Sequence, residues 1–163
     1  MIEEYCPEAD RHNTSRPCTL AFKNGIATVY QELLVFPELT VAENIFLGHT
    51  PKTKIGLIDW KKIKADSRKI LDSLDSHDLD VNARVGSLSV ANRQRVEIAK
   101  ALSQKTKVLI MDEPTNDLDY ETIIWLVDFL SNYENTIIVV SHDRHFLDSI
   151  CTCLLYTSPS PRD

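Results

Sequence analysis

Two acidic residues at the end of an apolar run are the residues best suited to chemistry in this sequence. Asp112 and Glu113 follow the apolar residues 108–111, and His142 follows a second such run at residues 136–141. A carboxylate at a strand end can hold Mg²⁺ beside phosphate groups, and a carboxylate next to it can serve as a general base toward water. The same pair is also compatible with a plain solvated strand end, so the pair alone leaves both interpretations open.

The surrounding pattern predicts an α/β fold. Strands are predicted at residues 25–31, 107–113 and 136–141, where β-branched and other apolar residues are concentrated. Helices are predicted at residues 40–48, 60–74, 89–102 and 120–130 and from Asp143 onward. Strands that alternate with helices form a parallel sheet, and ligands bind beyond the carboxyl ends of its strands. The acidic pair and His142 all fall at such ends, and we expect residues 107–113 to form a fully buried strand.

The helices carry signals for their ends and their buried faces. Thr40 and Glu43 form a T-x-x-E capping box, and Asp59 is a plausible cap for the helix that follows it. Apolar residues at helical spacing are expected to face the core. They are Trp60, Ile63, Ile70, Leu71 and Leu74 in one helix and Val96, Ile98, Ala99 and Leu102 in the next.

Composition narrows the class of protein. The chain has 163 residues, of which 43% are hydrophobic and 26% charged, which fits one globular domain or a piece of a larger one. The net charge of −6 disfavours a large nucleic-acid interface. The apolar runs are far shorter than the ~18 residues of a membrane helix, and the acidic start does not look like a secretory signal. The four cysteines form no CxxC pair. We therefore expect a cytoplasmic chain with reduced thiols and no direct membrane span.

Four motifs give the chain a family resemblance. Residues 112–119, DEPTNDLD, and His142 in VVSHDR resemble the Walker B, D-loop and switch-histidine succession of ABC-type ATPases. Gln31 in VYQE resembles the Q-loop of these proteins. Residues 88–92, LSVAN, resemble their LSGGQ signature and depart from it at Val90, Ala91 and Asn92. The resemblance covers about residues 25–152 and implies a P-loop NTPase-like parallel sheet with a helical subdomain.

The resemblance also implies ATP and Mg²⁺ as ligands and assigns residue roles. Asp112 and Gln31 would contact Mg²⁺, with Gln31 also at the coupling interface. Glu113 would act on the attacking water, and His142 would contact the γ-phosphate.

The remaining motif residues would act between two ABC domains. The signature residues (Leu88, Ser89, Val90, Ala91 and Asn92) would cap the γ-phosphate of a nucleotide held by a second ABC domain, and helix N-termini do attract anions. Asp119 would lie at the interface of this ATP-sandwich dimer.

One element of such a site is missing from the sequence. A phosphate-binding loop needs the pattern G-x-x-x-x-G-K-[ST], but the four glycines are Gly25, Gly48, Gly56 and Gly86, and no two of them are five residues apart. The Walker A strand and loop are therefore absent from this chain, and we expect the isolated polypeptide to be inactive.

The resemblance is compatible with two functional classes of ABC protein. Residues 25–115 resemble the ATP-binding subunit of a bacterial ribose/galactoside-type sugar importer, whose partner is a membrane permease. Such a subunit would be cytoplasmic and peripheral to the inner face of the cell membrane. Residues 116–152 resemble ABC-F proteins, translation factors of the antibiotic-resistance type whose partner is the ribosome. A nonfunctional chimeric fragment, joined within the DEPT string that both groups share, is a third interpretation.

The two ends of the chain differ from its middle. Residues 1–24 show neither strand nor helix periodicity, so we assign them no function and expect disorder or a misread frame. Residues 153–163, CLLYTSPSPRD, resemble a translated sequencing adapter and are predicted to be an artefactual tail. The predicted partial ABC domain is therefore residues 25–152.

Overall fold

A three-stranded parallel sheet organises the structure, which is a computed structural model and describes residues 24–153. The strands are β1 (Ile26–Val29), β2 (Val108–Asp112) and β3 (Thr136–Val140), and they lie side by side in this order. Both pairings are parallel, as predicted. The expectations for residues 1–24 and 153–163 lie outside the described residues, apart from Asn24 and Cys153.

Five α-helices and one 3₁₀ helix accompany the sheet among the described residues. They are α1 (Val41–Ile45), α2 (Trp60–Ser73), the 3₁₀ helix Val85–Ser87, α3 (Val90–Leu102), α4 (Tyr120–Ser131) and α5 (Arg144–Ile150). Each α-helix begins after a side chain that accepts a backbone N–H of its first turn: Thr40, Asp59, Ser89, Asp119 and Asp143. Such caps satisfy amides that a helix start leaves unpaired. None of the helices described here is long and apolar enough to cross a membrane.

The chain between β1 and β2 forms a helical region, since α1, α2 and α3 pack against one another. Most of the apolar positions predicted to be buried in α2 and α3 are buried, with Ile70 and Leu102 half-buried against the core. Trp60 is an exception, because its residue is 48% exposed. It is the first residue of α2, and helical side chains tilt toward the N-terminus, so it projects beyond the first packed turn.

The sheet is better covered on one face than on the other. Leu109 and Met111 of β2 are fully buried, and they pair with Ala27 and Val29 of β1, so these four side chains lie on the same face of the sheet. On the opposite face, Ile110 is half-buried, and Ile138 and Val140 are 47% and 53% exposed. The expectation of a fully buried β2 is therefore wrong for its alternate residues, because the described part of the chain covers this second face only partly.

The loop that leaves β1 is held by a buried amide. Asn44 of α1 is fully buried, and its Oδ1 accepts the backbone N–H of Phe36 at 2.7 Å. Its Nδ2 donates to the carbonyl oxygens of Phe36, Thr40 and Leu39 at 3.0, 3.0 and 3.4 Å. One side chain thus fixes both the loop and the start of α1.

A close backbone contact holds the same loop from the other side. The N–H of Gly86 donates to the carbonyl of Pro37 at 2.9 Å. A Cβ at position 86 would lie 3.0 Å from that carbonyl oxygen, so only glycine fits without a shift of the loop.

Replacing Asn44 should destabilise the fold. We expect Asn44→Ala to lower the free energy of unfolding by about 2 kcal/mol, because buried backbone groups lose their partners. Urea denaturation followed by circular dichroism measures this. The control is Asn132→Ala, an exposed asparagine that also bonds to a backbone carbonyl, for which we expect less than about 0.5 kcal/mol. Equal losses in both variants would contradict the role given to Asn44.

The capping box of α1 should make stability depend on pH. The Thr40 backbone N–H and hydroxyl donate to Glu43 Oε2 at 2.8 and 2.7 Å, and these bonds hold the pKa of Glu43 below its ordinary value. A lowered folded pKa gives stability that is present above the unfolded pKa and lost as pH falls through the folded pKa. In urea titrations, Glu43→Gln should be less stable than wild type at neutral pH, and the difference should shrink in acid. A difference that stays constant with pH would refute this.

Candidate functional site

The carboxyl ends of β2 and β3 bring an acid and a histidine together. One oxygen of Glu113, Oε1, lies 3.3 Å from His142 Nε2. The other, Oε2, accepts the Ser141 hydroxyl at 3.4 Å and the His142 backbone N–H at 3.3 Å. The Glu113 side chain is only 11% exposed, whereas that of His142 is 98% exposed. The carboxylate is therefore held by two donors, the Ser141 hydroxyl and the His142 backbone N–H, and lies beside the His142 imidazole, which faces solvent.

The backbone turn after β2 directs Glu113 toward β3. Glu113 has a φ of +45°, in the left-handed region that non-glycine residues seldom adopt. Its N–H donates to the carbonyl of Val140 at 2.8 Å, which extends the β2–β3 ladder by one bond. Residues in this conformation cost of order 1–3 kcal/mol and concentrate at functional sites. Glu113 is one of four described non-glycine residues with a positive φ, together with Asp75, Lys105 and Asp117, and it is the one of the four that contacts His142.

The neighbouring strand ends supply Asp112 and Gln31 at the same edge. Asp112 is the last residue of β2 and is half-buried. Val29 of β1 pairs with Met111 of β2. Gln31 and Glu113 each lie two residues after these partners, so they occupy equivalent positions beyond the two strands. The side chain of Gln31 is exposed. All three strands thus place one of the predicted residues at a single edge of the sheet.

The signature-like residues form the start of α3. Ser89 is its N-cap, and the Ser89 hydroxyl accepts the Asn92 N–H at 3.3 Å. Leu88 packs against the core, Ala91 and Asn92 are half-buried, and Val90 is 46% exposed. Among residues 24–153, no hydrogen bond or ion pair joins these residues to Glu113 or His142. The helix start and the acid–histidine pair are therefore separate features of one chain.

Asp119 stabilises the start of a helix. It is the N-cap of α4, and its carboxylate accepts the Thr122 N–H at 2.8 Å. Hydrogen bonds from the Thr122 side chain and backbone lower the pKa of Asp119. Its residue is exposed, so the carboxylate both caps the helix and faces outward.

Sequence reasoning missed a tether between the Gln31 loop and α3. Lys100 Nζ donates to the Leu34 carbonyl at 2.8 Å and lies 3.7 Å from Glu97 Oε1. Glu97 is 4% exposed, and burial raises its pKa. Only the juxtaposition of distant segments reveals this contact. Ser141 was also missed, although its hydroxyl directly precedes His142 in the sequence.

The residues present fit one part of a nucleotide site. Mg²⁺ beside phosphates needs only one or two protein carboxylates, and Asp112 with Glu113 meets that requirement. Across residues 24–153 there is no group of three His, Cys, Asp or Glu side chains that could hold a metal ion alone. The sequence has no glycine-rich phosphate loop. The two carboxylates at this edge are therefore compatible with a metal ion beside phosphates, whereas the sequence lacks the loop that would bind those phosphates.

Sequence comparison links the chain to known proteins. The family described as "ABC transporter" matches residues 7–116. The ribose import ATP-binding protein RbsA 1 of Rhizobium meliloti is 38% identical over 136 residues, covering 82% of this chain and 27% of that protein. The ribose import ATP-binding protein RbsA of Corynebacterium glutamicum is 45% identical over 121 residues, covering 72% and 23%. The chain spans about a quarter of the length of these relatives.

Structural comparison agrees with the sequence match. A dimeric ATP-binding cassette, MJ0796, in a post-hydrolysis state with ADP and Pi, has a TM-score of 0.65 and 27% identity, covering 84% of this chain and 61% of that one. The ADP conformation of MJ1267, an ATP-binding cassette of an ABC transporter, has a TM-score of 0.63 at 23% identity, covering 80% and 56%. The predicted P-loop NTPase-like α/β fold, here truncated, is confirmed. The chain belongs to the ABC transporter family, as part of its ATP-binding cassette.

Proposed function

We propose that this chain is part of an ATP-binding subunit that hydrolyses ATP to drive carbohydrate import through a membrane permease. The observation that carries the substrate class is the 38–45% identity to proteins named for ribose import. A putative ribose/galactose/methyl galactoside import ATP-binding protein of Halalkalibacterium halodurans, at 41% identity, supports the same class.

The chemistry rests on the strand ends. Mg²⁺, when bound with ATP, would neutralise charge on the phosphoryl oxygens. Asp112 and Gln31 would hold it. Glu113 would accept a proton from the attacking water, and the Ser141 hydroxyl and the His142 backbone N–H hold its carboxylate at this edge of the sheet. His142 would donate a hydrogen bond to the γ-phosphate, and its almost complete exposure leaves the imidazole accessible for that role.

A second ABC domain would complete the site. Residues 25–152 form the partial cassette in this proposal, and residues 88–92 would meet a nucleotide held by the other domain. The exposed backbone at the start of α3 suits an anion, and Asp119 would lie at the interface. The dimeric arrangement of MJ0796 supports this.

The permease would meet the loop that leaves β1. Tyr30, Leu34 and Phe36 are 44%, 51% and 53% exposed there, beside Gln31. Apolar side chains exposed together are typical of a protein interface. This contact would place the subunit on the cytoplasmic side of the membrane.

The alternative partner is the ribosome. Residues 116–152 resemble ABC-F proteins, and a junction within DEPT would make the chain a chimera. A single long read of the source DNA across the codons for residues 25–151 tests this. A continuous read would establish one gene, whereas a break near codons 112–116 would leave the importer-like segment as the basis for function. The adapter-like tail, residues 153–163, is tested by the same read.

The isolated chain should bind ATP weakly. Without a phosphate loop, the main set of backbone N–H donors to the phosphates is missing. We expect titration with a fluorescent ATP analogue and Mg²⁺ to show no saturation in the micromolar range, and no turnover. Tight, Mg²⁺-dependent binding would overturn this expectation.

The role of Glu113 can be tested in a complete cassette. We would graft residues 25–152 into a ribose import ATP-binding protein that supplies the phosphate loop. Glu113→Gln should retain nucleotide binding and lower the steady-state hydrolysis rate about 10²-fold or more, the usual contribution of a general base.

The control for this graft is Glu134→Gln, an exposed carboxylate that follows α4. It should leave the hydrolysis rate unchanged. A Glu113→Gln graft that hydrolyses ATP at the rate of the unmodified graft would remove Glu113 from the role of base.

A further inference from the structure

A cluster of exposed apolar and basic side chains precedes and begins α2. Ile55, Leu57, Ile58 and Trp60 are 80%, 64%, 44% and 48% exposed. Five exposed lysines accompany them: Lys52, Lys54, Lys61, Lys62 and Lys64. We call these nine residues the basic apolar patch. Single exposed apolar residues are ordinary on protein surfaces, but four within six positions are not.

The patch stands on an ordered turn. The Thr53 N–H donates to the Leu57 carbonyl at 2.7 Å, and Lys52 pairs with Ile58 in an antiparallel bridge. Gly56 has a φ of +85°, which allows the chain to reverse there. The Asp59 N–H closes the base of the turn by donating to the Pro51 carbonyl at 3.0 Å. The turn therefore exposes Ile55 and Leu57 to solvent.

The lysines of the patch form no ion pairs in residues 24–153, although Lys64 lies close enough to Glu43 and Asp80 to help lower the pKa of each carboxyl. Within the described part of the chain, none of the five lysines has a carboxylate oxygen within 4.0 Å of its Nζ. Asp59, the one acid between positions 51 and 64, accepts the Lys62 backbone N–H as the cap of α2. The net charge of the chain is −6, but acids farther away than about 10 Å are screened at physiological salt. A partner at this surface meets mainly the lysines.

We propose that the basic apolar patch binds the surface of an anionic lipid bilayer. Ile55 and Leu57 would enter the boundary between headgroups and acyl chains, as apolar side chains of interfacial segments do. Trp60 has the amphipathic ring favoured at that depth, and the lysines would contact anionic headgroups. Exposed apolar side chains on a turn, with unpaired lysines before and after them in the sequence, suit a lipid surface, because such a surface accepts apolar insertion and cationic contact with headgroups together. The proposal does not depend on the nucleotide site.

Vesicle sedimentation tests the electrostatic part. The full chain should pellet with vesicles of phosphatidylcholine and phosphatidylglycerol in equal amounts, and not with pure phosphatidylcholine. Each lysine near such a surface contributes about fivefold to the partition coefficient. Lys52→Glu with Lys54→Glu should therefore lower it at least about 25-fold. The control variant is Lys105→Glu with Arg144→Glu, which changes the net charge by the same amount at two exposed positions outside the patch. It should leave the partition coefficient nearly unchanged.

Tryptophan fluorescence tests the insertion. Trp60 emission should shift to the blue on adding the anionic vesicles, and Trp60→Phe should abolish the shift while the protein still pellets. Ile55→Ser should weaken pelleting, whereas Ile124→Ser, at a residue 51% exposed on α4, should not. Circular dichroism confirms that each variant is folded.

Three results would overturn the proposal. They are a folded wild-type chain that does not pellet with anionic vesicles, equal pelleting of the two charge-reversal pairs, and binding to soluble polyglutamate with no fluorescence shift on vesicles. The last result would indicate an acidic protein partner instead.

Discussion

The parallel pairing of β2 with β3 is the constraint on which the candidate site depends. In parallel register the two strands end at the same edge, and the additional bond from the Glu113 N–H to the Val140 carbonyl continues the ladder past the last strand residue. This bond holds Glu113 in its left-handed conformation and brings its carboxylate beside Ser141 and His142. A slip of β3 by one residue in the register would move every one of its side chains to the opposite face of the sheet and separate Glu113 from His142.

The helical region is secured by buried polar groups as well as by its apolar core. Asn44 binds the loop after β1, Gly86 admits the Pro37 carbonyl, and Lys100 ties Leu34 to α3. Buried polar groups that find partners specify one arrangement of neighbouring segments. The loop that carries Gln31 is therefore positioned by the same helix that begins with the signature-like residues.

Much of this architecture could be predicted from the sequence because its signals are local. Apolar runs located all three strands, and the caps Thr40 and Asp59 indicated two helix starts, since these depend on neighbouring residues alone. The roles given to Asp112, Glu113 and His142 came from spacing and family resemblance and stay predictions. The Lys100–Leu34 contact and the left-handed turn at Glu113, which bonds to Val140, could not be predicted, because they depend on how segments far apart in sequence come together. The exposure of Trp60 has a local cause, its place at the first position of α2, which the periodicity of apolar residues did not reveal.

The long separation of β1 from β2 also constrains how the chain folds. Residues 26–29 pair with residues 108–111, so the strand partner that β1 has among the described residues is synthesised only after the whole helical region. Closing such a long loop lowers the entropy of the chain before the strand contacts that stabilise it have formed, so nonlocal parallel strands pair slowly. Within residues 24–153, α1, α2 and α3 can pack together before β1 has a partner. The edge of the sheet that carries Glu113 and His142 depends on β2 and β3, which follow the helical region in the sequence.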